Sequence, residues 1–168
     1  MTTTPQACAL LAKYATALDH VAVAVTDLEE SIQLYETKLG FSVHRRRVTE
    51  GRTSAMISAV MKAGPITIVL VQGTSPESQV SKYIERFGPG VQHVAFAVDD
   101  LPAMVEELRE AGLEFGTNVI NGGGLRQIFT ARDSGSGMMF EFIERLGGDF
   151  SDESVQDLFK QLEERDAF

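Results

Sequence analysis

The chain of 168 residues has a single cysteine, Cys8, so it offers neither a disulfide framework nor a thiolate metal cluster. It is also short of positive charge: 15 Lys+Arg stand against 24 Asp+Glu, for a formal net charge of −9. Nucleic-acid binding needs clustered cations to displace phosphate counterions, so no nucleic-acid partner is expected. No apolar run approaches the roughly 18–20 residues of a membrane-spanning helix, and Met1–Gln6 lacks the basic and apolar regions of a secretory leader. With 43% hydrophobic and 23% charged residues, the composition is that of a globular chain. A cytoplasmic protein is expected, with one domain or two small halves sharing a core.

What the chain has instead is an internal repeat. Leu18-Asp-His-Val-Ala-Val-Ala-Val-Thr-Asp-Leu28 aligns with Val91-Gln-His-Val-Ala-Phe-Ala-Val-Asp-Asp-Leu101 at an offset of 73, with seven of eleven positions identical. An amphipathic helix follows each copy, over about 27–38 and 101–111, and each stops at a glycine, Gly40 or Gly112. Three strand-like runs come after the first helix (41–48, 54–61 and 66–71) and three after the second (114–120, 126–130 and 138–143). The chain therefore reads as βαβββ twice, an α+β fold.

The organisation this gives is a 1–16 extension, a 17–146 domain and a 147–168 C-terminal helix segment. The domain divides into a first module at 17–73, a linking helix at 75–88 opened by Ser75-Pro76, and a second module at 90–146. In the C-terminal segment Val155, Leu158, Phe159 and Leu162 form one stripe. Their burial is worth ~6–12 kcal/mol at about 1.5–3 each, and ordering a dozen residues costs a comparable amount at about 1–2 kcal/mol per residue. Marginal docking, as of a mobile lid, is the expectation unless other contacts help.

Alternate residues of a strand share a face. His20 shares its face with Ala22 and Ala24, and His93 with Ala95 and Ala97, while the valines and Phe96 face the other way. The bulky faces suit helices, and the alanines leave open space before each imidazole. Glu141 adds a carboxylate inside the apolar run Met138–Ile143, costly unless paired or bound to a metal. Two histidines and one carboxylate make the facial triad that leaves positions open on Fe(II). The first module has Val69 where the second has Glu141, so three protein ligands are expected, not four. A single strand histidine is more often structural; two at equivalent positions, with an inward Glu, favour a metal.

Other residues carry less. His44 beside Arg45-Arg46-Arg47 reads as a solvated strand edge, with reception of an anionic substrate as the alternative. Gly122-Gly123-Gly124 is followed by no Lys-Ser/Thr and no helix, so it is a flexible connection rather than a phosphate loop. Cys8 receives no role.

These features resemble the vicinal-oxygen-chelate superfamily and, within it, the catalytic C-terminal domain of the 4-hydroxyphenylpyruvate dioxygenase family, over about residues 18–165. Leu18-Asp-His20 and Gly90-Val-Gln-His93 resemble its two metal-histidine motifs, and Phe140-Glu-Phe-Ile-Glu-Arg145 the strand with the Glu ligand. Gln127-Ile-Phe-Thr130 is similar to a strand whose Gln and Phe face the substrate, and Ser78-Gln79 to a pair opening the linking helix. Ser58 aligns with a substrate-side Ser, and Phe150 with the start of a lid helix. The family's additional N-terminal module pair is not in this sequence, Val71 stands where the family has Asn, and Asp149 precedes Phe150 in place of Gly.

The resemblance implies paired modules forming a cupped, barrel-like mixed sheet around a metal, with the C-terminal helix as lid. It implies Fe(II) held by His20, His93 and Glu141, with Ser58, Gln79, Gln127, Phe129 and Phe150 around the substrate. The implied function is a mononuclear dioxygenase taking O2 and a 2-oxo acid, coupling oxidative decarboxylation to hydroxylation of the side chain. A 4-hydroxyphenyl substrate does not follow. The alternatives are a metal-dependent epimerase or lyase, similar to methylmalonyl-CoA epimerase or glyoxalase, and a non-enzymatic small-molecule binding protein. The modules either pair within one chain or swap between two in a homodimer.

Overall fold

In the computed structural model residues 9–166 are described; Cys8 and Met1–Gln6 lie outside them. The first module consists of β1 (Ala15–Ala24), α2 (Leu28–Leu39), β2 (Ser42–Glu50), β3 (Ala55–Ala63) and β4 (Ile66–Gly73), preceded by α1 (Leu10–Tyr14). A linking helix α3 (Gln79–Phe87) leads to β5 (Gly90–Val98), α4 (Leu101–Glu110), β6 (Ile120–Gly122), β7 (Leu125–Phe129) and β8 (Met139–Arg145), and α5 (Asp152–Glu164) ends the fold. No helix among the described residues is long and apolar enough to cross a membrane.

All eight strands form one curled mixed sheet in the order β2-β3-β4-β1-β5-β8-β7-β6. Each module closes on itself through a parallel pair, β1 with β4 and β5 with β8. The modules meet along the antiparallel β1–β5 seam, within one chain. Pairing there is symmetric: His20 stands opposite Ala95, and Ala22 opposite His93.

Each module helix starts where an aspartate accepts a backbone N–H, Asp27 from Glu30 and Asp100 from Ala103. The helices cover the bulky strand faces, as the alternation requires. Leu28 and Ile32 of α2 pack with Met61 and Leu70, and Leu101, Met104 and Val105 of α4 with Ile128 and Phe142. Leu10 and Tyr14 join the second cluster, so the segment read as an extension supplies core side chains from α1 onward.

Four local expectations change. The linking helix begins at Gln79, because Ser75-Pro76-Glu77-Ser78 instead closes a turn through Ser78 N–H to Ser75 C=O, with proline presetting the turn. Of 114–120 only Ile120 enters a strand, and Phe115 makes a single bridge to Thr130. Side chains serve the backbone there: Thr117 Oγ1 accepts from Phe129 N–H, and Gln161 Oε1 from Asn118 N–H. The glycine triplet is a tight, packed hairpin turn. Gly123 has φ +63°, and a Cβ on it would lie 2.1 Å from the Asp149 carbonyl, because the 147–149 backbone hydrogen-bonds back onto the turn.

The fourth change concerns α5, which spans the gap between the two edge strands of the sheet, β2 and β6. Val155, Phe159 and Leu162 are buried. Polar ties add to the apolar stripe: Gln156 Nε2 donates to Glu50 C=O (3.0 Å), and Glu163 accepts from Arg52 N–H (2.7 Å) and Ser54 Oγ (2.5 Å). These contacts lift docking above the marginal balance of the stripe alone.

Candidate metal centre

His20, His93 and Glu141 come from β1, β5 and β8, neighbours in the sheet. Residues adjacent in a strand ordinarily point to opposite faces, yet each site histidine interacts with the residue just before it. The β1–β5 ladder slips one residue between Leu18 and His20 and again between Gln92 and its neighbours, so Asp19 and Gln92 are the extra residues of two bulges. The bulges bring both side chains back to the imidazoles. His20 Nδ1 donates to Asp19 Oδ1 (2.9 Å) and His93 Nδ1 to Gln92 Oε1 (2.6 Å). With the hydrogen on Nδ1, each Nε2 presents a lone pair.

The three inner atoms form a near-equilateral triangle. His20 Nε2 lies 3.3 Å from His93 Nε2 and 3.3 Å from Glu141 Oε2, and His93 Nε2 lies 3.4 Å from the same oxygen. Donors bound at about 2.0–2.2 Å to one metal stand about 2.8–3.1 Å apart when adjacent in an octahedron and about 3.3–3.6 Å apart in a tetrahedron, and the triangle falls within this span. Two imidazole lone pairs facing each other have no hydrogen to share, and Glu141 Oε1 is buried with no hydrogen-bond partner among the described residues. A cation is what this donor set fits, and these are the residues that could hold one.

The electrostatics agree. Burial raises the Glu141 carboxyl to about 7, the neighbouring Asp19 adding to the shift and Arg145 opposing it. Burial pushes His93 down to about 3, with the nearby Arg132 charge adding to it. Burial also works to raise Asp19, but hydrogen bonds from His20 and Arg145 outweigh it and hold this carboxyl far below its ordinary value. Arg145 grips Asp19 through two bonds (2.9 and 3.0 Å), anchoring the group that orients His20.

The triad lines a cavity of about 510 Å³ inside the cupped sheet. Ser58, Gln127, Phe129 and Phe150 line it too. Gln127 is fully buried, and both atoms of its amide lack a partner among the described residues. Phe129 sits edge-on to His93 (centroids 5.1 Å apart) and Phe150 to His20 (5.8 Å). Gln79 is the exception. It borders a separate void of about 40 Å³ behind His93 and donates to the Phe159 carbonyl (3.4 Å), tying α3 to α5 rather than facing the main cavity.

Val69 pairs with Ala22 as Glu141 pairs with Ala95, so the first module has an apolar side chain at the position equivalent to the carboxylate. Asp19, Gln92 and the Arg145 grip escaped the sequence reading. The signal available was positional: both bulge residues directly precede a site histidine in the repeat.

Residues 17–142 match the family model of the Glyoxalase/Bleomycin resistance protein/Dioxygenase superfamily. The chain belongs to this superfamily. Among curated relatives, this superfamily member is 28% identical over 166 residues to 4-hydroxyphenylpyruvate dioxygenase of Pseudomonas aeruginosa, an alignment covering 77% of this chain and 46% of that protein. Among solved structures it resembles a variant of 4-hydroxymandelate synthase from Streptomyces coelicolor, with a TM-score of 0.81, 25% identity, and coverage of 90% of this chain and 55% of that one. The chain thus spans about half the length of these two proteins. It also resembles methylmalonyl-CoA epimerase from Mycobacterium tuberculosis, with a TM-score of 0.65, 28% identity, and coverage of 78% and 89%.

Proposed function

We propose that this superfamily member is a mononuclear Fe(II)-dependent dioxygenase acting on a 2-oxo acid, with His20, His93 and Glu141 holding the metal. The observation that carries the reading is the three-donor triangle opening onto a cavity, with Val69 where a fourth donor would stand. Bound there, iron supplies the redox chemistry with O2 and a Lewis-acid site for a carboxylate and its neighbouring keto oxygen.

The chain's own residues do the rest. Asp19 and Gln92 fix the tautomer and angle of the two imidazoles. Phe129 and Phe150 flank the triad and hold the substrate side chain between aromatic faces. The unpartnered Gln127 amide offers a donor and an acceptor to a polar substrate atom, and Ser58 a hydroxyl, from the facing wall. The α5 helix restricts solvent access from above the sheet.

A second reading, a metal-dependent epimerase, is favoured by one observation. The chain resembles a methylmalonyl-CoA epimerase in fold, with a TM-score of 0.65 and 28% identity over 78% of its length. O2 separates the two. Fe(II)-reconstituted protein is expected to consume O2 with release of CO2 on at least one member of a panel of aromatic and aliphatic 2-oxo acids. Iron binding with no uptake on any of them would overturn the dioxygenase reading and leave the epimerase.

A further inference from the structure

One wall of the cavity is charged in a way that the metal centre does not use. At the triad end Arg145 is matched by two carboxylates, Asp19 and Asp149 (3.1 Å). At the other end, strands β2 and β3 present Arg45, Arg47 and Lys62, with His44 beside them. A single carboxylate, Asp152 at the start of α5, answers the two arginines: its Oδ1 lies 2.7 Å from Arg47 Nε and 3.4 Å from Arg45 Nη2. Both guanidinium groups also donate to the Phe150 carbonyl, at 3.2 and 3.1 Å. The side chains of Lys62 and His44 make no hydrogen bond or ion pair among the described residues; Asp149 is the acid that feels the Lys62 charge. In a chain of net charge −9, this is a local surplus of cations on a cavity wall.

The surplus faces the triad across apolar ground. One row of paired residues runs Arg45, Val60, Val69, Ala22, His93 across five neighbouring strands. The cavity's lining between the ends includes Met56, Val60, Val69 and Val71. A ligand suited to this arrangement has a metal-chelating head, a short apolar middle and an anion at its far end. Asp152 shows what that anion is, since Arg45 and Arg47 already converge on a carboxylate. Its side chain is 74% exposed and Arg47's only 10%. The guanidinium is therefore fixed in the wall while the carboxylate it holds stands in solvent, where such pairs are weakly held and exchangeable.

We infer that the β2–β3 wall is an acid-binding subsite and that Asp152 stands in it for a substrate carboxylate. The substrate of this site is then a 2-oxo acid carrying a second carboxylate at the far end of a short aliphatic chain. This rests on the 2-oxo acid reading above.

The test is calorimetric binding to Fe(II)-loaded protein under argon, comparing 2-oxoadipate with 2-oxohexanoate, which share a carbon chain and differ in the terminal carboxylate. Wild-type protein is expected to bind the diacid about tenfold or more tighter, the range of one added charge-assisted hydrogen bond. The Arg45→Gln/Lys62→Gln double variant removes two exposed side chains, keeps the thermal midpoint, and loses most of that preference. Asp152→Asn removes the competing carboxylate, so it tightens the diacid and leaves the monoacid unchanged. Equal affinity of the wild type for both acids overturns the subsite and leaves the 2-oxo acid reading standing, as does a preference that survives the double variant. Binding of neither acid overturns both.

Discussion

Asp19 and Gln92 occupy the same place in the two modules: each is the extra residue of a bulge, and each holds the Nδ1 of the histidine that follows it. The two supports differ in strength. Asp19 is a carboxylate gripped by Arg145, whereas Gln92 is a neutral amide.

That difference is measurable. Outer partners of this kind typically change metal affinity by about 10–100-fold. Asp19→Ala is expected at the upper end and Gln92→Ala at the lower, read by competition with a chromophoric chelator. Equal losses would mean that the charge and its anchoring add nothing.

Replacing Glu141 by methionine separates function from stability. The variant loses the metal-dependent rise in thermal midpoint and all metal-dependent turnover. Its metal-free form becomes more stable near pH 8, by ~1–3 kcal/mol, because an unpartnered buried carboxylate is gone. Calorimetry of chelator-treated proteins checks this; a destabilised metal-free variant would contradict it.

The pH dependence has a defined sign. Glu141, raised by burial to about 7 from 4.5, stays protonated in the folded metal-free chain where the unfolded chain has ionised. Its contribution to stability is present below pH 4.5 and is lost as the pH rises through about 7. His93, pushed by burial to about 3, slopes oppositely below 6.5. Subtracting Glu141→Met from wild type isolates the first slope: the stability difference is expected to shift against wild type between pH 4.5 and 7. Metal must displace the same proton, so affinity rises over this range and levels off above it.

A fourth donor is one substitution away. Val69→Glu puts a carboxylate at the register position equivalent to Glu141. Metal affinity is expected to rise by about tenfold while O2 uptake disappears, as an open coordination position is taken. Retained uptake with unchanged metal affinity would show that the position does not reach the centre.

The α5 helix should behave as part of the core. Phe159 is 1% exposed, so Phe159→Ala costs about 3–5 kcal/mol, seen in urea denaturation. Glu163→Gln, which weakens the tie to the 51–54 turn, costs less and leaves the cavity intact.

The repeat made the fold and the two histidines legible, because identical spacing of His, Ala and Asp in two segments carries both strand faces and helix starts, and Glu141 stood out as a carboxylate inside an apolar run. What stayed hidden depended on contacts far apart in sequence. The bulges at Asp19 and Gln92 are properties of the β1–β5 pairing, which strict alternation within one strand does not register. The glycine triplet read as flexible because its packing partner, the 147–149 backbone, lies across the hairpin. Helix α5 read as loosely docked because Glu163 and Gln156 find their partners in β2 and its following turn, more than 100 residues upstream. Gln79 read as facing the substrate because nothing local says which side of α3 lies against α5.

A centre assembled at the seam of two copies of one module has a consequence for how specificity can change. Only the second copy supplies the carboxylate, while β2, β3 and β4 of the first copy supply none of the triad. Those strands line the same chamber yet supply no triad donor, so substitutions there that add no ligating group can change which ligand fits while leaving the three donors in place. Duplication has divided the labour: β1, β5 and β8 hold the triad, and the outer strands of the first copy are left to shape the cavity beside it.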